Sequence, residues 1–354
     1  MIKKVADYID RKLFLQDVLS KVEKVDNIIV DSFVSNSCNL NCKHCYFLDY
    51  SPKMNSLPLE KWEELLFQWI DKGVKHFHFS GKEPFCDNKI QILLSHLNAY
   101  SDNSLYYGLV TNGTVNPIVF QELLQTNISY MEISIEGMAS FNGQIRGNTH
   151  FQTVEKLISR LEDKSKINLT TTVFEQNINE LTSLIRHFAL MGIDKFNFSP
   201  YLEFSKSAIS PISELSSHSI LKFLKNCIKF LSSDNVLENP INIRVCLTES
   251  QCYTLFMAEN FLTEKIQNYL YNGQPLTIML GKHVLEIVFP LLTIPYMSQL
   301  VTTHDGYIIS CADDIHFENI EEISLGNVWR LNIEDILIRR KQFIIDYINK
   351  ILLK

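Results

Sequence analysis

Residues 129–136 read Ser-Tyr-Met-Glu-Ile-Ser-Ile-Glu, with Met131, Ile133 and Ile135 on one side of a period of two and Glu132, Ser134 and Glu136 on the other. A strand points alternate side chains to opposite faces, so this run predicts one apolar and one polar face. The pattern recurs downstream. Residues 167–173 set Asn168, Thr170 and Thr172 on one face, and residues 195–199 set Phe196 and Phe198 against Asn197 and Ser199. A closed eight-stranded barrel fills its interior with bulky branched side chains. A solvent-wetted face explains any one polar strand; three in succession favour an open cavity that holds a ligand.

Upstream, residues 27–35, 75–80 and 104–111 are further strand candidates. Between strands, apolar residues fall at helical spacing, as in Trp62, Leu65, Leu66, Trp69 and Ile70, or Val154, Leu157, Ile158 and Leu161. Six strand–helix units in a row predict parallel strands with crossover helices, hence an α/β sheet or barrel. After about residue 205 the rhythm degrades. A helix is expected over 214–232, short strands over 241–246, 277–280, 284–289 and 307–310, and a final helix from about Asn332. The expected division is an N-terminal helical extension (1–27), a core (28–234) and a smaller C-terminal α+β region (235–354).

The 354 residues are 46% hydrophobic and 21% charged, ordinary for a globular protein with a full core. A net charge of −7 argues against a nucleic-acid partner, which needs a basic surface. The first residues, MIKKVADYIDRKLF, put charges where a signal peptide needs an apolar run. Glu286, Pro290 and Pro295 interrupt the most apolar later segment, which falls short of the roughly 18 apolar residues of a membrane span. A cytoplasmic protein without membrane contact is expected.

Eight cysteines stand at 38, 42, 45, 86, 227, 246, 252 and 311. Cys38-Asn-Leu-Asn-Cys42-Lys-His-Cys45-Tyr46 follows the first expected strand. Three thiolates in one loop suit three irons of a [4Fe–4S] cubane, leaving the fourth iron open. A zinc site closed by a distant fourth cysteine is the alternative, although no second C-x-x-C pair exists. Cys86 and Cys227 are read as small buried apolar residues.

The C-x3-C-x2-C loop resembles the signature of the radical S-adenosylmethionine (SAM) superfamily, and further segments extend the resemblance in order. Ser80-Gly81-Lys82-Glu83-Pro84 is similar to the family's Gly-Gly-Glu-Pro motif at the SAM amino group, with Lys82 where the family has its second glycine. Thr111-Asn112-Gly113 follows, then Ser134-Ile135-Glu136-Gly137, whose family counterpart faces the SAM ribose. Asn142-Gly143-Gln144-Ile145-Arg146-Gly147 resembles the Ile-Arg-Gly segment, whose Arg pairs with the SAM carboxylate. The resemblance implies a partial (β/α)6 TIM-like barrel. It makes Cys38, Cys42 and Cys45 the cluster ligands and His44, Gly81, Lys82, Glu83, Asn112, Ser134, Glu136, Arg146 and Thr172 the SAM-binding set. Lys82 implies an altered local path or a side chain pointing away, because glycine there lets the backbone approach SAM. A flavodoxin- or ferredoxin-type reductant is the implied electron donor.

The tail carries Thr303-His304-Asp305-Gly306-Tyr307-Ile308-Ile309-Ser310-Cys311 and Leu325-Gly326-Asn327-Val328, which resemble the C-terminal region of SPASM/twitch-type members. That group is rich in peptide- and protein-modifying enzymes, so a peptide substrate is the leading expectation. Cys311 matches an auxiliary Fe–S ligand, but its expected upstream partner is missing and no cysteine follows. A full auxiliary cluster would need Cys246 and Cys252 and is not favoured. Cys311 is then a remnant, a structural thiol or a hydrogen-atom donor. The roughly 27 residues before the first strand are too few for a leader-peptide-recognition domain, leaving peptide capture to the core, the tail or a partner. A small-molecule substrate such as an amino sugar or amino acid, and a non-catalytic Fe–S or zinc protein, are the alternatives.

Overall fold

The computed structural model describes residues 11–47, 50, 52–100, 104–202, 212–233, 237, 239–248, 251, 275–288, 294–316 and 319–352. Residues 1–10 of the expected N-terminal extension, Phe289 of an expected strand, and Cys252 lie outside these residues.

The strands are β1 (Ile29–Ser32), β2 (His76–Phe79), β3 (Tyr106–Thr111), β4 (Tyr130–Ser134), β5 (Ile167–Val173), β6 (Lys195–Pro200), β7 (Asn242–Cys246), β8 (Leu276–Leu280), β9 (His283–Val288), β10 (Gln299–Thr302), β11 (Tyr307–Ile309) and β12 (Gly326–Asn327). They make one twelve-stranded sheet in the order β12-β11-β10-β1-β2-β3-β4-β5-β6-β7-β9-β8. Neighbours from β10 through β7 to β9 pair in parallel, while β8, β11 and β12 pair antiparallel. Among the described residues the end strands β12 and β8 do not pair with each other, so the barrel-like wall they form is open. The fold is therefore α/β, with a parallel wall larger than six strands.

The helices are α1 (Arg11–Val22), α2 (Leu59–Asp71), α3 (Lys89–Ala99), α4 (Pro117–Leu124), α5 (Ala139–Arg146), α6 (His150–Arg160), α7 (Leu181–Leu190), α8 (Ser217–Ser233), α9 (Ile320–Ile323) and α10 (Ile333–Leu352). In α2 the buried side chains are Trp62, Leu65, Leu66, Trp69 and Ile70, the stripe read from the sequence. In α6 they include Val154, Leu157 and Ile158. Each such side chain contributes about 1.5–3 kcal/mol by leaving water. The start of α4 is set locally: Asn116 Oδ1 accepts from Ile118 N at 2.9 Å, and Pro117 occupies the first turn, where its missing N–H costs nothing.

Period-two alternation in burial holds along β5 and β6, whereas in β4 both faces are buried except at Glu132. Along β5 every odd residue from Ile167 is buried, while Asn168, Thr170 and Thr172 are half-buried on the concave face. In β2, Phe77 and Phe79 are buried toward the helices and His76 and His78 take the opposite face. Two strands differ from expectation. Residues 299–302 form β10, which no sequence pattern announced; Gln-Leu-Val-Thr is too short to show alternation, and pairing to β1 selects it. Residues 242–246, expected in an appended region, form β7 and extend the parallel sheet beside β6.

Candidate active site

The cysteine loop leaves the C-terminal end of β1 and lies over the C-terminal ends of the neighbouring parallel strands. Cys42 is buried, Cys45 half-buried and Cys38 exposed. Burial, reinforced by its neighbours Cys45, Glu136 and Cys38, pushes the Cys42 thiol up to about 11, with Arg146 opposing. Cys45 is also raised, again chiefly by burial. Cys38 and Cys45 oppose ionisation of Cys42, an opposition that a cationic iron centre would relieve.

Glu136 sits just past β4 and is 1% exposed. Its Oε1 accepts from Arg146 Nε at 3.0 Å and Nη2 at 2.5 Å, and lies 3.2 Å from His44 Nε2. Its Oε2 accepts from Thr172 N at 2.7 Å. Burial alone would raise this carboxyl, but Arg146 and His44 outweigh it and hold Glu136 down at about 2. Arg146, at the end of α5, also points Nη1 at Cys42 Sγ, 3.7 Å away. The ion pair thus touches the cysteine loop at two points, His44 and Cys42. The His44 ring stands edge-on to Phe174, and its Nδ1 is buried without a hydrogen-bond partner.

On the other flank Glu83, 5% exposed, accepts from Thr111 Oγ1 at 2.8 Å and Phe85 N at 3.3 Å through Oε1, and from Asn112 N at 2.7 Å through Oε2. Burial raises its pKa and these donors oppose the rise. Asn112 Nδ2 donates to Asn39 Oδ1 at 2.8 Å and approaches Cys38 Sγ at 3.9 Å. Gly81 has φ +95°, and a Cβ there would lie 2.9 Å from the Phe33 ring and 3.0 Å from Phe47. Only glycine fits both demands. Lys82 directs Nζ to Asn36 O at 3.1 Å, with its ammonium 5.9 Å from the centre of the Phe47 ring. Its side chain runs along the cysteine loop. Ser134 ends β4, buried.

Several residues that hold these groups gave no signal of their own. His150 Nε2 donates to Asn112 O at 2.7 Å, while its Nδ1 accepts from Asn142 Nδ2 at 2.9 Å. Burial, then Arg146, pulls the imidazole down to about 4 and keeps it neutral, as this tautomer requires. Asn142 Oδ1 accepts from Glu136 N at 2.9 Å, and Asn177 Nδ2 donates to Glu136 O at 2.8 Å. A chain of buried amides and one imidazole therefore ties Asn112 to Glu136. Nothing short of the fold could reveal it, because a single buried Asn or His resembles any other in sequence.

Cys311 is not brought to this constellation. β11 runs antiparallel to β10, with Val301 opposite Ile309, so the chain beyond Ile309 heads for the opposite end of the strands. Cys246 ends β7, half-buried. Lower on the concave face, His78 Nδ1 lies 2.6 Å from Tyr130 Oη, and His76 Nε2 lies 3.4 Å from the same oxygen. Asp31 accepts from Ser80 Oγ at 2.8 and 2.9 Å.

The donor set fits an iron–sulfur cubane. Three thiols in one loop suit it, because a cubane asks each thiolate to bind a different iron. The adjacent buried cation and the unpartnered His44 Nδ1 suit an anionic, hydrogen-bonding ligand beside it. Among the described residues no helix is long and apolar enough to cross a membrane.

The family model of the radical SAM superfamily matches residues 32–188. An uncharacterised protein of Archaeoglobus fulgidus is 26% identical over 157 residues, 44% of this chain and 37% of that one. The GTP 3′,8-cyclase of Bradyrhizobium diazoefficiens is 26% identical over 194 residues, 52% and 56% of the two chains. The PqqA peptide cyclase of the same organism is 26% identical over 168 residues, 46% and 42%. The match spans about half or less of these relatives' lengths. Among solved structures, Streptococcus suis SuiB bound to S-adenosylmethionine superposes with TM-score 0.63 at 15% identity, covering 88% of this chain and 66% of that one. Native anSMEcpe with bound AdoMet gives 0.60 at 18%, covering 89% and 82%.

Proposed function

We propose, because residues 32–188 match the family model of the radical SAM superfamily, that the chain is a peptide-modifying radical SAM enzyme. When bound, a [4Fe–4S] cluster with SAM supplies one-electron cleavage of the sulfonium to a 5′-deoxyadenosyl radical, which takes a hydrogen atom from the substrate. Cys38, Cys42 and Cys45 hold the cluster. Glu83, fixed by three donors, orients the SAM ammonium beside Asn112. Arg146 faces the SAM carboxylate with the N–H groups that Glu136 and Cys42 leave over. Glu136 is saturated within the protein and acts through Arg146 and His44 as a positioning residue. Ser134 and Thr172 face the ribose, and the Gly81 and Lys82 backbone borders the amino group. The polar concave wall below receives the substrate and shields the reacting carbon from water. The contact of Arg146 with both Glu136 and Cys42 carries this reading, since it places a fixed cation between the cysteine loop and the sheet.

A peptide substrate is favoured by the peptide cyclase among the relatives and by the SuiB structure bound to precursor peptide SuiA. The GTP 3′,8-cyclase match favours a small molecule as the second reading. Electrons come from a flavodoxin- or ferredoxin-type donor. Anaerobic reconstitution, then incubation with SAM and dithionite, should yield about four irons per chain and 5′-deoxyadenosine. Cys42→Ala should lose both. Zinc without iron in anaerobically prepared protein, or deoxyadenosine from Cys42→Ala, would sink the assignment. Supplying candidate peptides and nucleotides separately then decides the substrate class by which one acquires a mass change.

A further inference from the structure

The Thr303-His304-Asp305-Gly306 turn joins β10 to β11 and holds a dense set of buried polar contacts outside the site. Thr303, His304 and Asp305 are each 0% exposed. A buried carboxylate is costly unless its oxygens are satisfied. Two of the three donors to Asp305 lie far away in sequence. Oδ1 accepts from Tyr50 Oη at 2.5 Å and Thr303 Oγ1 at 2.7 Å; Oδ2 accepts from Lys53 N at 3.0 Å. His304 O accepts from Leu57 N at 2.7 Å, and His304 Nδ1 lies 3.2 Å from Ser56 Oγ. These contacts fix the chain that leaves the cysteine loop. The entry to the loop hangs on the same hairpin, because Phe33 N donates to Thr302 O at 2.9 Å.

One hairpin therefore holds Phe33 before, and Tyr50, Lys53 and Leu57 after, the loop that carries Cys38, Cys42 and Cys45. Aromatic packing carries the anchorage inward. Tyr50 stands edge-on to His304 at 5.6 Å and to Phe47 at 6.0 Å. Phe47 meets Phe33 at 5.0 Å and Tyr46 at 5.2 Å. Cys45 and Tyr46 pack against the apolar cluster formed by Phe33, Phe47, Val301, Tyr307 and Ile309. The turn is built for this position. Gly306 has φ +94°, and a Cβ there would meet Asn327 Oδ1 and Val328 at 3.0 Å. Asn327 Nδ2 in turn donates to Asp305 O at 3.0 Å.

We propose that the 303–306 turn is a clamp on the cysteine loop, with Asp305 as a positioning residue for the cluster ligands. The inference rests on the cluster assignment above and adds to it a second task for the tail: it preorganises the cluster held by the core. A thiolate set held at both ends of its loop pays less ordering entropy on binding iron. Asp305 reaches Cys45 through Tyr50 and Phe47, so its hold on the ligands is transmitted by packing.

The test compares the full-length chain with Asp305→Asn, Tyr50→Phe and, as a control of general destabilisation, Ile344→Ala, a buried residue of α10. Asp305→Asn keeps the shape but turns an amide N–H toward a donor. After anaerobic reconstitution, iron release to a chelator should accelerate about tenfold in Asp305→Asn, the equivalent of one charge-assisted hydrogen bond, and by a smaller factor in Tyr50→Phe. Ile344→Ala should release iron at the parent rate although its unfolding midpoint falls. In the iron-free proteins, alkylation of Cys45 by iodoacetamide should accelerate in the two clamp variants and not in Ile344→Ala. Parental rates of release and alkylation in both clamp variants, or equal acceleration in Ile344→Ala, overturn the clamp. If the parent binds no iron the cluster assignment fails instead, and the alkylation arm still decides whether the hairpin holds the loop.

Discussion

Replacing Glu136 by Gln tests the electrostatic centre of the site. The parent carboxylate is 1% exposed and compensates a guanidinium whose side chain is 10% exposed. Glutamine keeps the size but not the charge, leaving Arg146 desolvated beside a neutral amide. Breaking one side of a buried ion pair costs about 3–5 kcal/mol. The titration gives a second route to the same figure. The carboxyl falls from 4.5 in the unfolded chain to about 2 in the fold, which corresponds to about 3 kcal/mol. Because the folded value is the lower one, this stability is fully present above pH 4.5 and is lost as pH falls toward 2. Urea unfolding of the iron-free protein, followed by fluorescence at pH 7, should therefore show Glu136→Gln less stable by about 3 kcal/mol. Between pH 4.5 and 2 the difference should shrink toward zero. Adding Arg146→Met should recover part of the loss, because it removes the uncompensated charge. A single variant within about 0.5 kcal/mol of the parent, or a double variant no better than the single, would refute the claim that the pair is a coupled buried unit.

Three further outcomes are expected. His150→Leu strands Asn112 O and the Asn142 amide, so stability should fall by about 1–3 kcal/mol; the parent's loss of stability as pH falls from 6.5 toward 4, where the unfolded imidazole takes a proton that the buried one refuses, should be absent in the variant. Gly81→Ala puts a Cβ 2.9 Å from Phe33 at φ +95°, and backbone strain and overpacking of about 1–3 kcal/mol each should show in the thermal midpoint and as weaker SAM binding by calorimetry. Cys311→Ala should leave the yield of 5′-deoxyadenosine unchanged, since the chain carries that residue to the end of the strands opposite the cysteine loop; a role as hydrogen-atom donor would appear instead as normal cleavage with lost peptide product.

How far the sequence could be read depends on the range of the forces involved. The cysteine loop was legible because three cysteines fall within eight residues, a spacing that points to metal chemistry by itself. The parallel wall was legible because burial of one strand face is written as a period of two, and β5 shows it at every position. Lys82 was legible as an anomaly but not as a solution. Its direction, along the loop to Asn36 O, depends on a carbonyl 46 positions away. The bonds linking Glu136, Asn142, His150, Asn112 and Asn177 were not legible, because amides and an imidazole saturating each other leave no periodic trace.

The tail sharpens the same contrast. From sequence, Thr303-His304-Asp305-Gly306 counted only as a likeness to a region that binds a second cluster, and the missing cysteine left the likeness without a task. In the fold the turn's polar atoms face residues 50–57, some 250 positions earlier, and only strand pairing of β10 with β1 brings the two together. A hairpin kept solely to bind a second cluster would have little reason to bury a carboxylate against the cysteine loop. The cost of burying Asp305 without a cation is offset by Tyr50, Thr303 and Lys53 N, and two of those three donors belong to the chain just beyond Cys45. The physical demand on Asp305 is thus met from the cysteine loop's own exit, with no contribution needed from an auxiliary centre.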